Sequence, residues 1–459
     1  MAGERRSTHI RSFRAKRRRG LVLSAALCLA VFLSRTVSAQ MPPTNPTPLD
    51  DTLPEPLTVE QAVSIGLKRN PNTSAGIAGI AAAAGTYRSL AAFPPIDLSV
   101  TGATGNTSAP TVNNQNSDVF IDVIGNLDTS GQRHFQAAGA RAQLNATRYR
   151  FEESSLTLAQ QIRDAYWSLV AAQAQNQIAQ QSLADVEKVY QLTQTQLTAG
   201  EVPRTDVLRA SIDVANARQS AVSAQGSAHA ALVAFNALLA RSPEAPVRLA
   251  DTLTTASTTP TLLPDLPPLP ELLRQAQRNR PLLLAAAEQV RAGDYAVKQA
   301  QAARLPDLSL DYQRSLLEPL YAVIGVIRFP LLDFGSVREA IRSAQASRRQ
   351  AIAQKQQSEQ QLEQQVAQAY ADFEQARRMA SQYQTDILTP SSTLLELAQI
   401  GYQQGATGIL PVIDAETTLR NARVGYINSL LALYKAQDEI LAATGAALPV
   451  QPQAGITLH

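Results

Sequence analysis

Residues 305–313 read LPDLSLDYQ, apolar and polar side chains in alternation, inside a chain that otherwise looks like long helices rich in Gln and Ala. A period of two marks a strand with one apolar face. The phrase has a near copy: Asp97-Leu98-Ser99-Val100 matches Asp307-Leu308-Ser309-Leu310. Other matches keep the same order along the chain. Asn70-Pro71 answers to Arg280-Pro281, Gly131 to Gly335, Ala165-Tyr166 to Ala369-Tyr370, Gly200 to Gly405, and Asn216-Ala217-Arg218 to Asn421-Ala422-Arg423. Ordered matches at nearly constant spacing, with small insertions and deletions between them, indicate a tandem duplication, with repeats at 57–250 and 264–448. A Thr/Pro-rich stretch, residues 251–269, reads as an extended linker.

Each repeat follows one plan. A helix runs from about Thr58 to Phe93, ended by Pro94-Pro95, and its twin from Pro270 to about Arg304. Two strands follow in each half, predicted at about 96–106 and 119–127, then at 307–315 and 320–329. The turn between them is long and polar in the first half (TSAPTVNNQNSD) and short in the second (LLEP). Long breaker-free stretches come next, from Gly131 to about Thr198 and from Gly335 to about Gln404. Thr389-Pro390 reads as a kink or a restart, with Thr as N-cap and Pro in the first turn. Gly200 and Gly405 end these helices, and returning helices cover Pro203 to about Ala240 and Leu410 to Thr444. Helices of about 65 residues would reach roughly 100 Å.

Residues 1–39 read as a secretory signal peptide. An Arg-rich start precedes the apolar run Leu21–Leu33, and Val37-Ser38-Ala39 resembles a cleavage site. The run is too short to span a bilayer. This segment holds nine of the 41 basic residues and one of the 38 acidic ones, so the remainder carries a net charge of −5 rather than +3. The basic balance is therefore no argument for nucleic-acid binding. The one cysteine, Cys28, lies in the apolar run, and lipidation there is not expected because Leu27 is a poor neighbour for an acylated Cys. His134, His229 and His459 are scattered without ligand spacing, so no metal site and no cofactor are expected. There is no nucleophile–base constellation and no Gly-rich phosphate loop, and an enzyme is not expected. Residues 40–56 form an N-terminal extended segment and 449–459 a C-terminal tail.

The strands constrain the setting. In the first, Ile96, Leu98 and Val100 point one way and Asp97, Ser99 and Thr101 the other; in the third, Leu308, Leu310 and Tyr312 oppose Asp307, Ser309, Asp311 and Gln313. Apolar-out, polar-in alternation over about ten residues is the pattern of a transmembrane β-strand. A soluble half-buried sheet gives the same alternation. Four strands cannot close a barrel alone, and an open edge is not tolerated in lipid. Either the sheet is soluble, as in a secreted structural or adhesive coiled-coil protein, or several subunits pool their strands.

The duplicated plan, with AYWSLVAAQAQ (165–175), LTAGEVPRTDVLRASIDVANAR (197–218), RFPLLDFG (328–335) and GYQQGATGILPVIDAETTLRNAR (401–423), resembles the TolC-like outer membrane efflux proteins over essentially the whole chain after residue 39. The resemblance implies a mainly α fold with transmembrane β: a homotrimer pooling twelve strands into one barrel, with a helical barrel in the periplasm. It implies a passive channel lodged in outer-membrane lipid, partnered by a periplasmic adaptor (membrane fusion) protein and an inner-membrane RND or ABC-type pump. The cargo class, whether drug, metal ion or secreted protein, is left open. The helix tips Ala199-Gly200-Glu201 and Gln404-Gly405-Ala406 match positions that meet the adaptor. Tyr402, Asp206 and Asp414 match residues of a periplasmic gate. Thr407 stands where the family's gate Arg is found and Pro411 where it has another acid, which leaves Arg204 as the substitute cation.

Overall fold

The computed structural model describes residues 53–94, 96–106, 115–254, 266–315, 321–328 and 334–445. The expected signal peptide, the short LLEP turn, the C-terminal tail and most of the linker lie outside the described residues.

Thr58 opens the first helix, α1 (Val59–Arg69), with a capping box: its backbone N–H donates to Gln61 Oε1 and its hydroxyl accepts from the Gln61 N–H. The single helix expected over 58–93 is two. Asn70 is extended (φ −66°, ψ 129°), and its side chain caps α2 (Pro71–Ala91) by accepting from the Asn72 N–H. The residue before a proline is driven out of the helical region, so Pro71 forces the break. The twin behaves alike: Arg280 (φ −68°, ψ 120°) separates the later pair, Leu269–Asn279 and Pro281–Ala302.

β1 (Ile96–Asn106) and β2 (Gln115–Leu127) form an antiparallel pair after α2. β2 starts four residues earlier than its polar residues suggested. Asn116, Ser117 and Asp118 pair with Gly105, Thr104 and Ala103, so backbone pairing overrides their turn chemistry. Then α3 (Gln132–Thr198) runs unbroken for 67 residues, about 100 Å at helical rise. Its return partner is α4 (Arg204–Leu238).

The second half gives α5 (Leu269–Asn279), α6 (Pro281–Ala302), β3 (Asp307–Ser315), β4 (Tyr321–Arg328) and α7 (Ser336–Gln382). Thr389 does not restart the helix as an N-cap. It is helical (φ −63°, ψ −49°) and follows a π-helical turn, Tyr383–Leu388, that runs into α8 (Thr389–Gln403). Pro390 has no N–H for the carbonyl four residues back and its ring crowds that group; the wider π turn makes room for it. α9 (Leu410–Ala443) is the last helix among the described residues. The four strands make one antiparallel sheet in chain order, and β2–β3 is the seam between the halves.

The core lies at the waist, where α1, α3, α7 and α9 meet. Val63, Ile162, Tyr166, Phe235, Phe373 and Tyr426 are fully or almost fully buried there. A short parallel bridge fastens the waist: the Leu57 N–H donates to the Arg248 carbonyl and the Ala250 N–H to the Leu57 carbonyl, both at 2.9 Å. The Tyr166 hydroxyl lies 2.7 Å from Asp251 Oδ2 and 3.0 Å from the Leu57 carbonyl. Burial and the Asp251 carboxylate push its pKa upward, so it stays protonated and donates.

Gly425 of α9 lets the ring of Tyr383, from the π turn, lie against the helix backbone. A Cβ at 425 would sit 2.5 Å from the nearest ring carbon, whereas one at Gly226 meets nothing within 4 Å. Gly425→Val is expected to destabilise the folded protein by about 1–3 kcal/mol through overpacking, and Gly226→Ala to be neutral or stabilising. Thermal unfolding followed by circular dichroism checks both.

Candidate functional site

The register assembles the faces of the sheet. Leu98 sits opposite Val123, which sits opposite Tyr312, which sits opposite Val323. Val100 joins this face through Ile121, and Leu308 and Leu310 through Leu127, Gly125 and Ile327. The other face collects Ser99, Asp122 and Gln313 in one row, with Asn126, Ser309 and Asp311 beside them. Arg328 falls on this polar face, opposite Asp307. Arg314 is the one charge in the apolar set and sits at the far end of β3, opposite Tyr321.

Burial runs opposite to that of a water-soluble sheet. Leu98 is 64 % and Val323 62 % exposed, while Asp122 and Ser309 are each 8 % exposed. Leu98, Val100, Leu310 and Tyr312 stand open and Leu308 is half-buried. On the polar face the Asp122 carboxylate accepts from Thr101 (3.0 Å) and Ser99 (3.4 Å), and the Gln313 amide donates to Asp311 (3.0 Å). Apolar outside and hydrogen-bonded polar inside is the arrangement of a strand between lipid and a water-filled lumen. Strands of 8 to 13 residues have the span for it. Among the described residues no helix is long and apolar enough to cross a membrane.

At the opposite end both hairpin tips close with the same turn. The Glu201 N–H reaches the Gln196 carbonyl and the Gly200 N–H that of Leu197; the Ala406 N–H reaches Gly401 and the Gly405 N–H Tyr402. This six-to-one and five-to-two pair is a Schellman motif and requires left-handed backbone, met by Gly200 (φ 77°) and Gly405 (φ 67°). Ala199, Gly200, Glu201, Gln404, Gly405 and Ala406 are all exposed.

Tyr402 is 5 % exposed and packs with Ala210, Ile409 and Val412. Its hydroxyl donates to Gln196 Oε1 (2.6 Å) and lies 3.0 Å from Thr193 Oγ1, tying α8 to α3. Asp206 is half-buried in the first turn of α4; Arg204, Thr407 and Asp414 are exposed. Within the chain no side-chain hydrogen bond or ion pair joins these four to one another or to Tyr402, among the described residues. Thr193 and Gln196, the partners Tyr402 does have, escape sequence reading because they lie over 200 residues away and belong to no recognisable motif.

The waist holds a second feature absent from the sequence reading, the buried Asp438 with the half-buried Asp164 and Glu439 where α3 and α9 meet. Arg163 approaches Asp438 at 3.9 Å, too far to offset the loss of hydration. Burial pushes Asp438 up to about 7; Arg163 and a hydrogen bond from Trp167 oppose the shift, while Asp164 and Glu60 add to it. Burial likewise raises Asp164 to about 6, opposed by Lys435 and aided by Glu439. Glu439 is itself raised by burial and by Asp372. The Trp167 ring stacks on Tyr434, centroids 4.0 Å apart and planes at 10°. Among the described residues no group of three or more His, Cys, Asp or Glu converges as a metal site.

The sheet and the paired long hairpins define a channel protein that spans a membrane with strands and extends beyond it with helices. The outer membrane efflux protein family model matches residues 62–241 and 272–446. The chain belongs to that family: it is an outer-membrane efflux channel protein, its helical part in the periplasm, and not an enzyme. It is 25% identical over 398 residues to the cobalt-zinc-cadmium resistance protein CzcC of Cupriavidus metallidurans, covering 84% of this chain and 89% of that one. It is 25% identical over 334 residues to the pyoverdine export outer membrane protein OpmQ of Pseudomonas aeruginosa, covering 70% and 68%. Among solved structures, the outer-membrane channel OprN superposes with a TM-score of 0.74 at 24% identity, over 84% of this chain and 90% of that one. VceC of Vibrio cholerae gives 0.73 at 20%, over 84% and 96%.

Two expected outcomes follow from this geometry. Leu310→Arg places a charge on the apolar face at mid-strand and should block membrane assembly, a cost of about 2–4 kcal/mol at the bilayer midplane, whereas Ser309→Arg should assemble; outer-membrane fractionation reads the difference. For the waist, a carboxyl whose folded pKa is raised stabilises the fold below its ordinary value and loses that contribution as pH rises through the folded pKa. The protein should therefore gain stability between pH 8 and pH 5. Trp167, the chain's one tryptophan, should change fluorescence with a midpoint near 7, a step that Asp438→Asn removes.

Proposed function

We propose that three copies of this chain close a twelve-strand barrel in the outer membrane and a helical duct in the periplasm. The duct passively conducts substrates delivered by an inner-membrane RND or ABC-type pump through a periplasmic adaptor. The observation that carries this reading is the sheet itself: apolar side out, polar side in, with both edge strands, β1 and β4, open. Lipid tolerates no open edge, so β4 of one copy must pair with β1 of the next. The helices agree. α4 packs chiefly on α3, and α8 on α9 and the π turn, so each keeps a face that the rest of the chain does not cover. Their free faces expose Leu208, Ile212 and Val222, and Leu394, Leu397 and Ile400. A head-to-tail contact that closes on itself buries both faces at once.

In this reading Leu98, Val100, Leu308, Leu310 and Tyr312 face lipid, and the six exposed tip residues at 199–201 and 404–406 dock the adaptor. Residues 57–250 and 264–448 act as the two equivalent repeats, following the signal peptide 1–39. Tyr402 holds the gate shut from within the protomer by pinning α8 to α3, while Asp206 and Asp414, with Arg204 and Thr407 nearby, line the constriction. Threefold repetition brings like carboxylates together in a narrow opening, which favours cations and makes closure depend on compensating donors. The two curated relatives, at equal identity, carry names for metal resistance and pyoverdine export. That spread fits a duct whose pump, rather than whose wall, selects the cargo.

Single-channel recording on the reconstituted protein tests the gate. Tyr402→Phe and Asp206→Ala are each expected to raise open probability, and unchanged open probability in both variants rejects the assignment.

A further inference from the structure

Charge is segregated along the long helices. Residues 132–151 of α3 contain Arg133, Arg141, Arg148 and Arg150 and no acid, and residues 336–355 of α7 contain Arg338, Arg342, Arg348, Arg349 and Lys355 against Glu339 alone. These are the turns directly below the sheet, in a chain whose balance after residue 39 is acidic. A basic collar thus lies where the helices meet the membrane.

Within it a cavity of about 920 Å³ opens between the end of α2, the end of β2, the start of α3 and the middle of α6, a size typical of ligand sites. Its wall includes Tyr87, Arg133, His134, Arg141, Arg291 and Tyr295. Two carboxylates, Asp128 and Glu288, also line it, and both are already engaged. Asp128 accepts from the Ser130 hydroxyl and the Arg133 N–H, and Glu288 pairs with Arg291. Arg133 donates one NH2 group to the Ser89 and Ala92 carbonyls, but its Nε is buried without a partner. Arg141 is exposed and, among the described residues, has no protein partner. N–H donors and positive charge are left over for an oxyanion. Phe93, 78 % exposed, and Leu127 stand at the rim. Leu127 lies on the same face as Leu308 and Ile327, and its neighbour Asn126 on the polar face, so the cavity sits at the end of β2 and its rim reaches the apolar side of the sheet.

We propose that this cavity binds the phosphate-bearing headgroup of an anionic phospholipid from the membrane leaflet next to the helices, with Arg141 and Arg133 on the phosphate, Tyr87 and Tyr295 flanking it, and the acyl chains over Phe93 and Leu127. Basic pockets at membrane-proximal helix ends recognise lipid headgroups by this chemistry, and aromatic side chains favour the same depth. The inference rests on the outer-membrane placement of the sheet and is independent of the gate and of the adaptor.

The test titrates the purified full-length protein, in a neutral maltoside detergent, with dihexanoyl phosphatidylglycerol, read by native mass spectrometry and calorimetry. The expected result is one lipid per protomer. Arg141→Glu should weaken binding roughly tenfold or more; Arg141→Lys should restore most of it; Arg342→Glu, the same charge change outside the cavity, should leave it intact. Circular dichroism confirms that each variant is folded, and unchanged conductance confirms the channel reading independently. Absence of binding overturns the proposal, as does equal loss in Arg141→Glu and Arg342→Glu, which would mean diffuse attraction to the collar. Displacement by inorganic phosphate at the concentration where the lipid itself binds also overturns it, because the site would then be one for free phosphate.

Discussion

An unpaired strand edge cannot sit in hydrocarbon. The N–H and C=O groups along it have no water to bind, and each one left bare costs several kcal/mol. This chain has two such edges, β1 and β4, on a sheet whose exposed face is apolar. Nearly every other feature answers to that constraint. The polar residues turn inward, where Thr101 and Ser99 donate to one oxygen of Asp122. The helices below keep uncovered apolar faces of their own, on α4 and on α8.

Duplication makes the geometry economical. Both halves supply two strands and a long hairpin, and β2 pairs with β3 across the seam between them. The pairing of Leu57 with Arg248 and Ala250 fastens the first half at the waist, against the core of α1, α3, α7 and α9. That junction is also where the chain tolerates buried carboxylates. Trp167, Tyr434, Arg163 and Asp438 together form a joint whose charge changes near neutral pH.

How much of this was legible from residues alone differs by feature. β1 and β3 were both legible to the residue, because alternation of Leu and Asp or Ser leaves one register that keeps an apolar face together. The helix tips were legible because a glycine after a long breaker-free run is where left-handed backbone is needed. The start of β2 was not, since Asn116, Ser117 and Asp118 carry turn chemistry that only their cross-strand partners override. Nor was the π turn before Pro390: proline signals disturbance, but whether a helix restarts or widens depends on what packs there, here Tyr383 on Gly425. Tyr402 stood out by position, yet its bonds to Thr193 and Gln196 join segments distant in sequence and carry no local signature. The basic collar was readable in composition, but only the structure places it beneath the sheet and around a cavity.

The central claim is that β1 of one copy pairs with β4 of the next. Within one protomer these strands are three interstrand spacings apart, about 14 Å, beyond the reach of a disulfide. The one native cysteine, Cys28, lies in the 1–39 segment expected to be removed, so engineered pairs report cleanly. Leu98→Cys in β1, combined in turn with Tyr321→Cys, Val323→Cys or Ile327→Cys in β4, should give one register that oxidises to covalent trimers in the native outer membrane and returns to monomers on reduction. Oxidation that yields only monomers in every pairing would contradict the closed three-copy barrel.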